Sequence, residues 1–365
     1  MSANSSHKHI MKSLFRIFVL TALIAGVSAC ALRETVELVV IGNAFGSNTI
    51  PQLYEAAVAE DMDAKVNTYS WMKPAASPAT YLENLQTETE LRKAVKNADV
   101  ILISFSPSWG NAADNMYFND LCGGDDNQDC QRKTTAKAKR DWISIVNTIA
   151  ELRDEQPVIL RVISWGDWVY PAYYGDTITQ EDYAVLVPYF REYQSLQASM
   201  PGVGAALAFA EDYNDIPSEY FTDGLHLSDA GSAAVVDLLH NLGYEPAIIE
   251  GFADLTVTFN ETGCTVTPLE GEIPNPIYIR VENPTDGDNA LLTLTLKEGN
   301  GVEDILAFGD NGLPPFMEGT TIPHYSPGKN AKNLFEVPLV DGRENYLVCA
   351  QDGVGALAVP LILKP

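Results

Sequence analysis

The sequence predicts an α/β domain of three layers, α/β/α, followed by an antiparallel β-sandwich. Two observations support this. Up to about residue 244, apolar runs of strand length alternate with amphipathic stretches of helical length. After about residue 250, short segments alternate apolar with polar residues and are separated by Gly, Pro, Asn and Asp. The first pattern is typical of a parallel sheet covered by helices on both faces, and the second of packed antiparallel sheets.

The start of the chain is predicted to be an export signal, followed by a short linker over residues 30–36. Three cations come first, at Lys8, Lys12 and Arg16, and an apolar run from residue 17 to 27 follows. Small residues then precede Cys30. This is the layout of a secretory signal, so residues 1–29 are excluded from the fold.

The stretch "VSAC", residues 27–30, resembles a bacterial lipobox, whose cysteine becomes the lipid-bearing first residue of the mature chain. We therefore expect an exported lipoprotein anchored to the cell envelope through Cys30. Ala31 after the cysteine favours the outer membrane in a diderm bacterium. Ordinary cleavage that leaves Cys30 unmodified is the alternative.

The composition excludes two classes of partner. The formal net charge is −26, and it becomes −29 on cleavage before Cys30, because that removes three cations and no acid. A strongly acidic surface repels nucleic acid and anionic lipid headgroups. We therefore expect no nucleic-acid partner, and we expect membrane association only through the lipid.

The first domain, expected over residues 37–246, contains five candidate strands separated by helical stretches. The strands are 37–42, 65–70, 98–104, 157–164 and 203–210, and the helical stretches are 50–60, 81–97, 134–153, 179–199 and 229–242. Ligands of such parallel sheets bind beyond the carboxyl ends of the strands. Gly42, Ser104 and Ser164 lie near those ends.

The second domain is expected over residues 250–365. Its alternating segments are 254–268, 276–284, 290–299, 333–340, 345–352 and 356–365, as in an immunoglobulin-like or cupredoxin-like sandwich. A copper site of the cupredoxin kind needs two histidines beside a cysteine such as Cys349, and only His324 lies in this domain. We therefore interpret the domain as structural or adhesive.

Four further cysteines predict two disulfides, because paired cysteines are typical of exported proteins. They are Cys122, Cys130, Cys264 and Cys349, which allow three pairings. We favour Cys122–Cys130, which closes a polar loop, and Cys264–Cys349, which lies within the β-rich region.

The most informative short stretch is "DGLHLSDAG", residues 223–231. Asp223 and His226 are three residues apart, just before the last helical stretch. A carboxylate so placed can fix the tautomer of an imidazole and stabilise the imidazolium that forms when a hydroxyl gives up its proton. The spacing alone is weakly diagnostic, since a surface Asp and an incidental His near a helix start give the same pattern.

In its wider context the first domain resembles the SGNH (GDSL-like) hydrolases, in the branch whose first motif reads Gly-Asn-Ser-Phe. "IGNAFGSN", residues 41–48, is similar to that motif at the end of the first strand. "ILRVISWGDW", residues 159–168, is similar to a later strand with its Trp-containing turn, and residues 223–231 are similar to the closing motif. The resemblance covers about residues 35–244 and implies a flavodoxin-like parallel sheet.

The resemblance implies ester hydrolysis, often the deacetylation of sugars or lipid-like esters. In the family a serine at the end of the first strand attacks, the histidine takes its proton and the aspartate orients the histidine. Asp223, His226, Gly42 and Asn43 match this pattern, but Ala44 occupies the serine position. Losing the nucleophile of such a triad lowers turnover by on the order of 10⁶, so we expect a pseudoenzyme.

Other catalytic positions also depart from the family pattern. After its third strand the family offers a Gly-x-Asn-Asp sequence or a Gln-containing variant for the oxyanion, whereas this chain reads "SFSPSWGN", with Asn111 as the nearest but late candidate. Ser47 is the first substitute nucleophile, one helical turn beyond Ala44, although a role as N-cap or turn residue is more natural. Ser104, Ser106 and Ser108 are weaker substitutes.

No cofactor and no metal site are expected. The mature chain has only three histidines, His226, His240 and His324, which are far apart in sequence. The acidic loop 123–129 is interpreted as solvated rather than as a Ca²⁺ site. Two interpretations are open for a group of five aromatic residues: they stack on a sugar ring, or they pack beneath a loop. These residues are Trp165, Trp168, Tyr170, Tyr173 and Tyr174.

Two functional hypotheses remain. The preferred one is a non-catalytic descendant that keeps the crevice and binds a glycan or another ester-bearing small molecule. The other is an active carbohydrate or lipid esterase that uses a different serine, such as Ser47.

Overall fold

The computed structural model describes residues 34–42, 49–73, 78–104, 128–166, 180–209, 215–223, 226–268, 274–286, 289–308, 315–319, 325, 327–351 and 355–362. The chain divides into two compact units. The first comprises residues up to 141 together with 156–248, and the second comprises 142–155 and the residues from 249 onwards. Within the described ranges, no helix is long and apolar enough to cross a membrane.

The first unit contains a five-stranded sheet, which confirms the predicted α/β class. Its strands are β1 (Thr35–Gly42), β2 (Lys65–Met72), β3 (Val100–Ser104), β4 (Ile159–Trp165) and β5 (Val203–Ala208). Their order is β2-β1-β3-β4-β5, and every neighbouring pair is parallel. This is the flavodoxin-like order, in which the carboxyl ends of all the strands meet at one edge.

Among the described residues, six α-helices belong wholly or partly to the first unit. They are α1 (Thr49–Asp61), α2 (Pro78–Thr87), α3 (Thr89–Asn97), α4 (Gln128–Arg153), α5 (Gln180–Ser199) and α6 (Asp229–His240). The prediction of one helix over 81–97 was wrong, because α2 ends at Thr87 and α3 begins at Thr89. Glu88 between them is extended, with φ −84° and ψ 107°. The Thr87 hydroxyl donates to the Glu83 carbonyl at 2.8 Å, and such local bonds compete with continuation of a helix.

Both faces of the sheet are covered. Val36, Leu38 and Val40 of β1 share a buried cluster with Tyr54 of α1 and Val235 of α6. The residues of opposite parity, such as Val39 and Ile41, are equally buried. Since successive strand residues point to opposite faces, the sheet is the middle of three layers.

The second unit contains two four-stranded sheets and a short helix, α7 (Val302–Phe308). Its strands are β6 (Leu255–Asn260), β7 (Gly263–Thr267), β8 (Ile277–Asn283), β9 (Asn289–Leu296), β10 (Met317–Gly319), β11 (Ala331–Val337), β12 (Asn345–Gln351) and β13 (Gly355–Leu361). The sheet orders are β10-β9-β12-β13 and β11-β8-β6-β7. One pair, β6 with β8, is parallel, and the other neighbours are antiparallel.

A shared core and a covalent bond join these two sheets. Phe259 and Ile279 from one sheet pack in the same cluster as Leu347 from the other. Cys264 on β7 is bonded to Cys349 on β12, with their Cα atoms 6.4 Å apart. The predicted sandwich and the predicted Cys264–Cys349 pairing are therefore confirmed.

Residues 142–153, the last part of α4, belong to the second unit and are hydrogen-bonded within it. The Asn147 side chain accepts from the Phe252 amide at 2.7 Å and donates to the Phe252 carbonyl at 3.2 Å. The Ser144 and Tyr278 hydroxyls are also hydrogen-bonded to each other. These bonds between distant sequence positions explain why residues 142–155 group with this unit.

Candidate active site

Asp223 and His226 form a two-point contact at the predicted motif. Asp223 Oδ2 lies 2.7 Å from His226 Nδ1, and Asp223 Oδ1 accepts the backbone N–H of His226 at 2.7 Å. The carboxylate thus fixes the position of the ring and of its backbone together. Because Nδ1 faces Asp223, Nε2 is the nitrogen that can take a proton from a hydroxyl. The His226 side chain is 58% exposed, so a ligand can reach it.

Backbone hydrogen bonds hold the loop that carries this pair. The Thr222 amide and hydroxyl both donate to the His226 carbonyl, at 2.8 and 3.1 Å. The Ser228 amide donates to the Tyr220 carbonyl at 2.8 Å. Both ends of the His226 segment are therefore tied to the preceding residues, which limits movement of the imidazole.

Helix α6 begins directly against the same loop. Ser228 is its N-cap, whose hydroxyl accepts from the Gly231 amide at 3.2 Å and donates to the Glu219 carbonyl at 2.6 Å. A Cβ atom at Gly231 would lie 2.2 Å from the Tyr220 carbonyl oxygen. Only glycine permits the helix to approach the loop this closely. Ser228, through its two hydrogen bonds, and Gly231, through its small size, therefore both help to position His226.

Aromatic packing attaches this loop to the carboxyl end of β5. Phe209, the residue after β5, adopts a left-handed φ of 56° and is buried. Its ring lies 5.6 Å from Tyr220 and 5.9 Å from Phe221, measured between centroids. The Asp223–His226 pair therefore belongs to the edge of the sheet where ligands of this fold class bind.

Gly42 ends β1 at the same edge of the sheet. It pairs with Ser104 of β3, and a Cβ atom at Gly42 would lie 2.2 Å from the Ser104 carbonyl oxygen. Ser104 is 3% exposed, and Ser164, which is 1% exposed, donates its hydroxyl to the Gln197 side chain at 2.7 Å. Burial removes Ser104 as a substitute nucleophile, since its hydroxyl cannot meet a substrate.

No protein family and no curated protein matches the chain. A lipase from a goat-rumen metagenome aligns with 57% of this chain and 98% of its own length, at 17% identity and a TM-score of 0.45. A lipase/acylhydrolase from Enterococcus faecalis covers 57% and 94%, at 16% identity and a TM-score of 0.36. An acetyl xylan esterase covers 57% and 100%, at 10% identity and 0.36. At these values the alignments add no functional information to the geometry above.

Several predicted site residues lie outside the described residues. These are Asn43, Ala44, Ser47, Ser106, Ser108 and Asn111. Cys30, Cys122, residues 123–127 of the acidic loop and the aromatic residues from 168 to 174 also lie outside. Residues 128–130 begin α4, but their side chains lie outside too. Their predicted roles stay predictions.

Two other predicted residues have packing or pairing roles. Trp165 is 2% exposed and belongs to the core, so it does not offer a face to a sugar. His240 Nδ1 lies 2.7 Å from Asp61 Oδ2, at the end of α6. Among the residues described, no group of three or more His, Cys, Asp or Glu side chains is placed to hold a metal ion.

Sequence reasoning missed the residues that support the site. Thr222 carries no motif of its own and gave no signal in the sequence. Phe209 gave no signal, because a left-handed φ is rare for an aromatic residue and is set by packing rather than by local preference.

Proposed function

We propose that this chain descends from the SGNH ester hydrolases and now binds an ester-bearing or glycan ligand without cleaving it. One observation carries the proposal. Asp223 and His226 keep the contact of an acid–base pair on the edge of the sheet where Gly42 ends β1, while the position two residues after Gly42 is alanine.

The chemistry separates binding from cleavage. The exposed imidazole can hydrogen-bond a ligand oxygen, and the aspartate behind it contacts Nδ1, so that Nε2 is the nitrogen that can make this bond. Acyl transfer to the protein needs a hydroxyl or thiol at the corner after β1, and a methyl group supplies neither proton nor lone pair. The retained pair therefore serves recognition, with a glycan or an acylated small molecule as the expected ligand class.

A serine-directed fluorophosphonate probe tests this proposal on the purified mature protein. We expect no covalent labelling of the native chain and clear labelling of Ala44→Ser, because only the variant offers a nucleophile beside His226. Binding of acetylated oligosaccharides to the native chain, measured by calorimetry, should be weakened by His226→Ala.

The active-esterase alternative gives the opposite result in the same assay. Labelling of the native chain, mapped to Ser47 or to another serine, would replace the binding proposal with hydrolysis by a displaced nucleophile. Absence of both labelling in Ala44→Ser and glycan binding in the native chain would contradict both.

We also propose that the protein is exported and carries a lipid on Cys30. The signal-like start supports export, and so does the Cys264–Cys349 disulfide, since such bonds persist in oxidising compartments. We expect Cys30→Ser to move the protein from the membrane fraction to the soluble fraction of the producing cells. Intact mass measurement of the native chain should show a diacylglyceryl addition at residue 30, and an unmodified N-terminal Cys30 would contradict lipidation.

A further inference from the structure

A cavity of about 310 Å³ lies between helix α5 and the last two strands of the sheet. Its described lining residues come from α5, from the carboxyl end of β4 and from β5, which is an edge strand. This volume is at the lower end of the range for sites that bind small molecules. Neither Asp223 nor His226 is among these lining residues, so the cavity is a separate feature from the candidate active site.

The wall that β5 contributes is apolar. Ala205 and Leu207 are two residues apart on this strand and therefore point to the same face of the sheet. A single exposed leucine is ordinary on a protein surface, but Leu207, which is 45% exposed, lines a concavity together with Ala205 and Ala198 of α5. An aliphatic chain laid against these three residues would leave water, which favours its binding.

The wall that α5 contributes carries a positive charge. Arg191, Ser195 and Ala198 follow the spacing i, i+4, i+7 and therefore share one face of this helix. Among the described lining residues Arg191 is the one cation and none is acidic, in a chain whose formal net charge is −26. Its guanidinium has five N–H donors in a planar fork that matches a carboxylate, so a contact elsewhere still leaves donors for a ligand.

A serine of β4 directs an anion towards that arginine. Ser164 lines the cavity and is 1% exposed, and its hydroxyl donates to the Gln197 side chain at 2.7 Å. A hydroxyl has one proton to donate, so Ser164 offers only lone pairs to a ligand. A carboxylate is therefore repelled from Ser164 and attracted to Arg191.

We propose that this cavity binds a small aliphatic monocarboxylate, whose carboxylate pairs with Arg191 while its chain lies against Ala205 and Leu207. A sugar fits less well, because sugar rings stack on aromatic faces and none of the described lining residues is aromatic. Inorganic phosphate leaves the apolar wall unused. The proposal goes beyond the proposed function and does not rest on it, since Asp223 and His226 take no part.

Titration calorimetry of the purified mature protein with hexanoate tests the charged wall. We expect saturable binding with a Kd of about 1 mM or lower. Arg191→Gln should weaken it by about tenfold or more, because the charged partner of the carboxylate is removed. Arg132→Gln is the matched control, since Arg132 is exposed on α4, does not line the cavity and makes the same change in net charge when replaced.

The same titration tests the apolar wall. Leu207→Gln should weaken hexanoate binding by about tenfold, because apolar contact area is lost. Leu238→Gln should leave it unchanged, since Leu238 is a leucine of α6 that is 37% exposed and does not line the cavity. Hexanol, which has the same chain without the charge, should bind about tenfold more weakly than hexanoate, and inorganic phosphate should not compete.

Three results would overturn the proposal. They are absence of saturable hexanoate binding, equal affinities in Arg191→Gln and Arg132→Gln, and competition by phosphate as strong as by hexanoate. Amide NMR of the native chain gives a measurement that needs no variant: hexanoate should shift the signals of Ser195 and Leu207. Binding without these shifts would also contradict the proposal.

His226→Ala distinguishes failure of this proposal from failure of the proposed function. It is expected to leave hexanoate binding unchanged while it weakens binding of acetylated oligosaccharides. Loss of hexanoate binding in His226→Ala would place the carboxylate at the candidate active site and overturn the assignment to the cavity. Unchanged oligosaccharide binding in that variant would count against the proposed function alone.

Discussion

Replacing Ala44 with serine is expected to raise kcat/KM for an activated acetyl ester by about 10³-fold over the native chain. Loss of a triad nucleophile costs on the order of 10⁶, so its return can restore at most that factor. A missing oxyanion donor costs about 10² to 10³, and the late position of Asn111 predicts one such loss. Hydrolysis of p-nitrophenyl acetate with purified mature protein provides the measurement.

Two further substitutions show whether that gain comes from the proposed pair. Adding His226→Ala to Ala44→Ser should return the rate to the native background, because the general base is removed. Adding His240→Ala should leave the gain intact. His240 is a matched control, since it also lies 2.7 Å from an aspartate and is 52% exposed, but at the far end of α6. A gain that survives His226→Ala, or no gain at all, would contradict the proposed site.

Removal of the Cys264–Cys349 disulfide is expected to lower the free energy of unfolding of the second unit by about 3–5 kcal/mol. The bond closes a loop with a sequence separation of 85 residues, and a cross-link of that length restricts the unfolded chain strongly. Cys349 is also fully buried within the sandwich core, so its truncation to alanine adds a small packing loss. Urea unfolding of the Cys264→Ala/Cys349→Ala variant, compared with the native chain, gives the value.

Reduction provides the control for this effect. Dithiothreitol should lower the unfolding midpoint of the second unit in the native chain and leave that of the double variant unchanged, since the other predicted disulfide, Cys122–Cys130, belongs to the first unit. A loss in the free energy of unfolding below about 1 kcal/mol in the double variant would contradict this prediction, since an ordinary surface substitution has an effect of that size. The apolar core alone would then hold the two sheets together.

The fold was predictable where local pattern and burial agree. Strands β3 and β4 are buried throughout because both of their faces are covered, and the sequence shows this as mainly apolar runs that are interrupted only by Arg161, Ser104 and Ser164. The alternation of β6 likewise matches one buried and one partly exposed face. The Asp223–His226 pair was predictable because its contact spans only three residues, and the resemblance supplied the sheet edge at which to place it.

Other features depend on contacts between distant residues and had no local signal. The bond between Asn147 and Phe252 joins positions 105 residues apart. In the sequence, Tyr81 is one of several apolar residues in a helical stretch. Only the folded structure shows that its hydroxyl donates a hydrogen bond to the Gly42 carbonyl.

The most direct test of the central claim is a crystal structure of the Ala44→Ser variant, in which the distance from the introduced serine Oγ to His226 Nε2 is measured. If residue 44 and the Asp223–His226 pair form one disarmed site, that distance should be about 2.6–3.2 Å, or be bridged by one water. Two side chains that point to different faces of the sheet, beyond the reach of a single bridging water, would contradict the claim.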